Sequence, residues 1–213
     1  MVYRAILDES FLNLEMIQVA QNIKGKEILD LRKLLLEGDI LDYSSQNNLK
    51  RKSGSLVKRF LVLDEFLLNQ LTDADISTTE FITFYSIVKN ERIIFDFLNE
   101  IIFSNYIKLK KYITKDEIDN FIIEKARQVE EVNKWTDATK QRMKNKIIEF
   151  SMKGGYLKKG DSDYTIVFPS VSKKTVEHIK KIESDELSAI IFLDKGNKMK
   201  NIDEDAVNYN LFK

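Results

Sequence analysis

The 213-residue chain has no cysteine, one histidine, one proline and seven glycines. Without cysteine there is no disulfide, no thiolate nucleophile and no cysteine-ligated zinc. A His–Asp–Ser relay would have to centre on His178, whose neighbours KTVEHIKKIE read as the solvated face of a short helix. So little glycine and proline disfavours a strand-and-loop architecture and points to long helices. Long apolar runs are missing too. Ile101–Phe103 and Ile190–Leu193 are far shorter than the roughly 20 residues that cross a bilayer. The opening MVYRAILDES acquires acids at once and has no apolar signal core. These absences predict a soluble, cytoplasmic protein with no membrane partner.

What is present is ordinary for a folded chain: 43% hydrophobic and 32% charged residues, enough for one large domain or two small ones. The formal net charge is zero, which argues against indiscriminate nucleic-acid binding by the whole molecule. The charges are nonetheless grouped. Segments 44–60, 101–115 and 134–160 carry +5, +4 and +6, and acidic segments separate them. Such grouping allows a local anion-binding face on a neutral protein.

Apolar spacing predicts a helix from Ser10 with Phe11, Leu14, Ile17 and Ala20 inward, and a second from Lys26 to Glu37 closed by Gly38. The polar run DYSSQNNLKRKSGS, Asp42 to Ser55, reads as a loop, with a third helix from Ser55 to Leu71. Residues 79–106 read as two helices meeting near Lys89 and Asn90. Their run IIFDFLNEIIF is apolar on more than one face and suits the centre of a bundle. Thr114 and Glu117 have capping-box spacing, and Thr136 with Asp137 opens another helix that ends before Gly154-Gly155. Tyr156-Leu157, the turn KKGDSD and YTIVF then make a β-hairpin, followed by a helix near 174–183 and an apolar run at 187–193. The expected fold is mainly α. A helical bundle over 1–110 carries a basic loop at 44–58, and a winged-helix-like domain with a short hairpin and C-terminal helices follows over 111–213.

No active site is legible. GxxxxGK and GxGxxG are absent. Asp161/Asp163 lie in a turn that favours aspartate, and Asp203/Glu204/Asp205 lack EF-hand spacing. Asp96 and Glu100 lie four apart on a buried-looking helix, but Arg92, four residues before Asp96, makes a structural ion pair the expected reading. No cofactor, metal or small-molecule substrate is expected.

Nucleic acid fits better. WTDATKQRMKNKIIEFSMKGGYLKKG, residues 135–160, holds seven basic residues against Asp137 and Glu149. Met143, Ile147, Phe150 and Ser151 mark the inward face of its helix, which turns Lys140 and Lys144, with Gln141, Arg142 and Asn145, toward a groove. Gln141 and Asn145 suit base edges. Lys158 and Lys159 on the hairpin suit backbone phosphate. Lys50, Arg51 and Lys52 in the expected loop, with Lys58 and Arg59 on the next helix, form a second candidate clamp. Double-stranded DNA is the expected partner; a solvated lysine-rich face is the plain alternative.

The stretches SFLNLEMIQVAQNI, Arg59-Phe60 with Leu63, ERIIFDFLNEIIF and WTDATKQRMKNKIIEFSMKGGYL follow in an order that resembles BrxA proteins, small components of BREX bacteriophage-defence islands. The resemblance covers roughly residues 1–160 and is carried by order and spacing, since none of these stretches is a catalytic signature. It implies an all-helical, mostly two-part protein with winged-helix character. It further implies a DNA-binding accessory factor that works with other BREX proteins, rather than the system's methylase, ATPase or phosphatase-like enzyme. A protein–protein adaptor without direct DNA binding is the alternative it leaves.

Overall fold

Residues 78–88 are buried almost without interruption, because the helix Ile76–Asn90 (α5) carries apolar, threonine and serine side chains on every face. In the computed structural model, which describes residues 3–23, 31–37 and 40–194, the other elements pack around this helix. Before it come α1 (Asn13–Ile23), α2 (Leu31–Glu37), α3 (Gln46–Phe60) and α4 (Glu65–Asp73). After a one-residue break at Glu91, α6 (Arg92–Phe97) runs through a π-helical stretch (Leu98–Phe103) into α7 (Ser104–Ile107). The two-helix reading of 79–106 and its meeting point near Asn90 hold. The protein is mainly α-helical.

Three sequence expectations are corrected. Residues 46–60 are helix, not loop: Leu49, Ser53, Leu56 and Phe60 fall on one buried stripe, with Ser55 buried beside it. The helix expected to run unbroken from Ser55 to Leu71 ends at Phe60, and Asp64 caps α4 by accepting from Leu67 N at 3.0 Å. In α1 the buried stripe is Met16, Val19, Ala20 and Ile23, and Leu14 faces solvent. The phase differs because Leu12 sits at φ 60° and turns the chain just before the helix begins. The helix expected from Lys26 begins outside the described residues, as does Gly38.

The second half opens with β1 (Tyr112–Ile113) and α8 (Lys115–Gln128), followed by the short α9 (Glu130–Asn133), α10 (Asp137–Lys153) and the hairpin β2 (Leu157–Lys159) with β3 (Tyr164–Ile166). Both expected caps form. Thr114 and Glu117 make a complete capping box on α8, and Thr136 accepts from Thr139 N on α10. The strands form one antiparallel sheet in the order β1-β3-β2, with Tyr112 opposite Thr165 and Lys158 on Thr165's other side. A Schellman turn ends α10: Tyr156 N donates to Ser151 O and Gly155 N to Met152 O, with Gly155 at φ +81°. A Cβ on Gly154 would lie 2.4 Å from the Phe84 ring, so only glycine lets α10 end against α5.

With glycine scarce, the same turn is elsewhere built on leucine. Leu109 after α7 (φ 61°) and Leu193 after the last described helix (φ 49°) hold the left-handed position, which costs a non-glycine residue about 1–2 kcal/mol. Leu193 is fully buried, which offsets that cost, whereas Leu109 is 75% exposed.

The last elements, α11 (Lys173–Ile182) and α12 (Asp185–Ile191), return to the first half of the chain. Phe192 stacks on Phe81 at 5.5 Å, and Tyr156 OH donates to Ile191 O. His178 is not the solvated residue expected. It stacks on Phe66 with ring centroids 4.1 Å apart, and its Nε2 lies 2.6 Å from Asp64. One apolar cluster, from Ile6 to Leu193, takes residues from both sides of the expected 110/111 boundary.

Burial alone would raise the Glu117 carboxyl. Lys110 at 2.5 Å, the Thr114 N–H and hydroxyl, and the Asn105 amide outweigh it and hold the group down to about 2. The folded state is therefore favoured above the ordinary carboxylate range near 4.5, and this contribution disappears as pH falls from there toward 2. Thermal melts of Glu117→Gln should lose part of the parent's stability at pH 7 and converge on the parent near pH 2. A constant gap at all pH values would contradict the assignment.

Candidate nucleic-acid interface

The amphipathic division of α10 is the one its sequence predicts. Met143, Ile147, Phe150 and Ser151 are buried, the first three each contributing roughly 1.5–3 kcal/mol by leaving water. At 100° per residue Gln141 and Asn145 lie opposite this stripe, and both are exposed, as is Arg142 beside them. Gln141 Nε2 lies 3.4 Å from Asn145 Oδ1, so the two amides form one short polar ridge.

The lysines separate into two classes. Lys140 and Lys144 lie on the flank facing α8 and are only partly exposed. Lys144 is bonded to Asp119, and Lys140 lies 3.8 Å from Asp137. Lys146 and Lys153 on the other flank share Glu149, each at 2.9 Å. Arg142, Lys158 and Lys159, by contrast, are exposed and make no ion pair among the described residues, and neither does Lys115 at the start of α8. Lys115, Tyr164, Gln141, Lys144 and Asn145 line one cleft over Ile118 and Ile148. It continues past Asp119 to Lys140, Ile122 and Ile123. The structure thus brings Gln141, Asn145 and Lys144 together with the hairpin, where Lys159 pairs with Tyr164.

The second expected clamp is not a loop. Lys50, Arg51, Lys52, Lys58 and Arg59 all sit on α3. Lys50 and Lys58 are exposed, and Arg51 lies 3.6 Å from Asp8. Lys52 bonds Ser10 Oγ, and burial lowers its pKa. Arg59 leaves the candidate set. It is 4% exposed, with Nη1 donating to Phe11 O at 2.5 Å and Nη2 to Ser10 O at 2.7 Å, and burial pushes its pKa down to about 10.

Sequence reasoning did not single out Lys115, although its basic block 101–115 was visible, nor the part played by Lys125. Lys125 Nζ lies 2.7 Å from the buried Asp96 and 2.5 Å from Glu100. Burial opposes its charge, but these two bonds outweigh burial and raise its pKa. Tyr3 OH also bonds Asp96, and the expected Arg92–Asp96 pair is present at 2.7 Å, close in distance though not aligned as a hydrogen bond. Every charge of this cluster faces another, the arrangement of a structural tie.

The profile of a family described as BrxA matches residues 3–183. A protein of Bacillus cereus (strain H3081.97), "BREX protein BrxA", is 26% identical over 170 residues, covering 80% of this chain and 84% of that protein. The crystal structure of an uncharacterized protein from Magnetospirillum magneticum matches the fold with a TM-score of 0.72 at 15% identity, covering 90% of this chain and 98% of that one. No described helix is long and apolar enough to cross a membrane.

Replacing Lys125 with methionine should cost about 1–3 kcal/mol, because the buried Asp96 carboxylate keeps Arg92 and Tyr3 but loses a charged hydrogen-bond donor. Adding Asp96→Asn to that variant should recover part of the loss. Denaturant midpoints of the single and double variants check this, and a double variant as unstable as the sum of its parts would refute the tie.

Proposed function

The chain belongs to the BrxA family, and from that membership we propose that it is a non-catalytic accessory protein of a BREX phage-defence system that grips duplex DNA. The observation that carries this reading is the placement of unpaired cations. Arg142 adjoins the exposed Gln141–Asn145 ridge on α10, Lys115 lines the cleft beside it, Lys159 pairs across from the cleft's Tyr164 and Lys158 is exposed on the same hairpin, while the lysines on both flanks of α10 are held by acids.

The element order supports a winged-helix reading. A helix leads into β1, α8 and α10 follow, and a hairpin closes a sheet ordered β1-β3-β2, with α10 in the recognition position. In that pose Gln141 and Asn145 face base edges in the major groove, and Arg142, Lys158 and Lys159 meet phosphates. Lys140 and Lys144 contribute less than their sequence suggests, because DNA must compete with Asp137 and Asp119 for them. A zero net charge suits a modest, salt-sensitive grip that works beside other BREX proteins better than tight autonomous binding.

Fluorescence anisotropy with a labelled duplex at several salt concentrations tests this. Reversing Arg142, Lys158 and Lys159 to glutamate should abolish binding near 0.15 M salt and flatten the log–log salt slope by up to about 3, roughly 0.9 for each phosphate contact. Reversing Lys50 and Lys58 should change little. A triple variant that binds like the parent would remove the proposed surface and leave the adaptor reading.

A further inference from the structure

Directly opposed residues of an antiparallel sheet share a face, so the register divides this one into rows. Lys159 and Ile113 both pair with Tyr164. Ile113 is buried, and Tyr164 lines the cleft with Gln141, Lys144 and Asn145, so this row lies on the α10 side of the sheet. Leu157, opposite Ile166, is buried on that side as well. The row between them turns the other way. Lys158 and Tyr112 both pair with Thr165 and stand on the outer face. Lys158 and Lys159, adjacent in sequence, therefore leave the hairpin on opposite sides.

The outer row carries hydrogen-bond donors that the fold does not use. Lys158 is exposed and has no acid partner among the described residues. Thr165 is half-buried and Tyr112 is 54% exposed, and neither hydroxyl has a hydrogen-bond partner among the described residues. With strands about 4.8 Å apart, the row spans roughly 10 Å. That is about three nucleotide steps along one strand of a duplex, at about 3.4 Å each. Asp161 and Asp163 occupy the hairpin turn, so a polyanion is admitted across the sheet and not over its tip.

We propose that this outer row is a second phosphate track, on which Lys158 pairs with one phosphate and the Thr165 and Tyr112 hydroxyls donate to its neighbours along the same strand. The inference rests on the duplex reading and extends it. From one side of the hairpin α10 and Lys159 hold the duplex, and the outer row holds the backbone that passes on the other side. Hydroxyl side chains donate to phosphate oxygens and fix register without choosing sequence. The track adds two contact residues, Tyr112 and Thr165, and lengthens the footprint beyond the groove that α10 occupies.

Anisotropy of the full chain with labelled DNA hairpins of about one and about two helical turns, roughly 10 and 20 base pairs, tests it. Tyr112→Phe with Thr165→Val removes both hydroxyls and keeps the side-chain shapes. On the longer hairpin this variant should bind about threefold or more weakly, with an unchanged salt slope, because no charge is lost. Lys158→Gln should weaken binding there and flatten the slope by about 0.9. On the shorter hairpin, which has room for the groove of α10 alone, both variants should bind as the parent does. The melting temperature of the hydroxyl variant should match the parent's. A hydroxyl variant that binds the longer hairpin like the parent would overturn the track and leave the duplex reading intact. Equal weakening on both lengths would contradict a grip on two faces. A parent that binds neither hairpin would overturn the duplex reading and the track together.

Discussion

The Asp96 carboxylate is 1% exposed and must be met by charge from elsewhere in the chain. It is met from three directions: Arg92 one turn before it, Lys125 from α8 and Tyr3 from the irregular segment 3–12. That requirement sets the positions of two elements at once. With Lys125 fixed, α8 lies beside the π-helical stretch after α6, and its outer edge becomes one wall of the cleft with α10. With Tyr3 fixed, the segment after it crosses α10: Ile6 N lies 3.2 Å from Met143 Sδ, and Phe11 meets Phe150 at 5.9 Å. Arg4, bonded to the buried Glu91, and Arg59, bonded to the carbonyls of Ser10 and Phe11, hold the same segment from the other side. These contacts clasp the buried face of α10 and so set where its exposed ridge stands.

A neutral chain with 34 basic and 34 acidic residues can present a positive surface only by spending its acids unevenly. Here acids engage the lysines on both flanks of α10, through Asp119, Asp137 and Glu149, and among the described residues none pairs with Arg142, Lys158 or Lys159. The separation has a physical purpose. The flank lysines are held by neighbouring acids, Lys146 also setting its ammonium 5.3 Å from the Phe150 ring centroid, while the cations with no acid among the described residues stand exposed. On the proposed reading, a field focused in this way would give salt-dependent grip without making the whole protein a polycation.

Much of this was legible in the sequence wherever the signal was local. The Thr114–Glu117 box, the Thr136 cap, the inner face of α10, the paired glycines and the hairpin depend on neighbours within a turn or two, and all formed as read. The misreadings share a different cause. QNNLKRKSGS looks like a loop because its core positions are filled by Leu49 and the small Ser53, and no periodicity scale credits a serine with being buried. Arg59 looked like a phosphate ligand because its partners are carbonyls 48 and 49 residues away. Lys125 was passed over for the same reason, its acids being 25 and 29 residues away. Which cations are free is decided by tertiary pairing, and block sums of charge are blind to it.

The claim that the free cations and the amide ridge form the duplex interface can be tested without any substitution. A uniformly ¹⁵N-labelled sample titrated with a short duplex should shift amide resonances over 139–146 and 157–160 and leave those of α3 in place. Shifts concentrated on α3, or none at all under low salt, would contradict it.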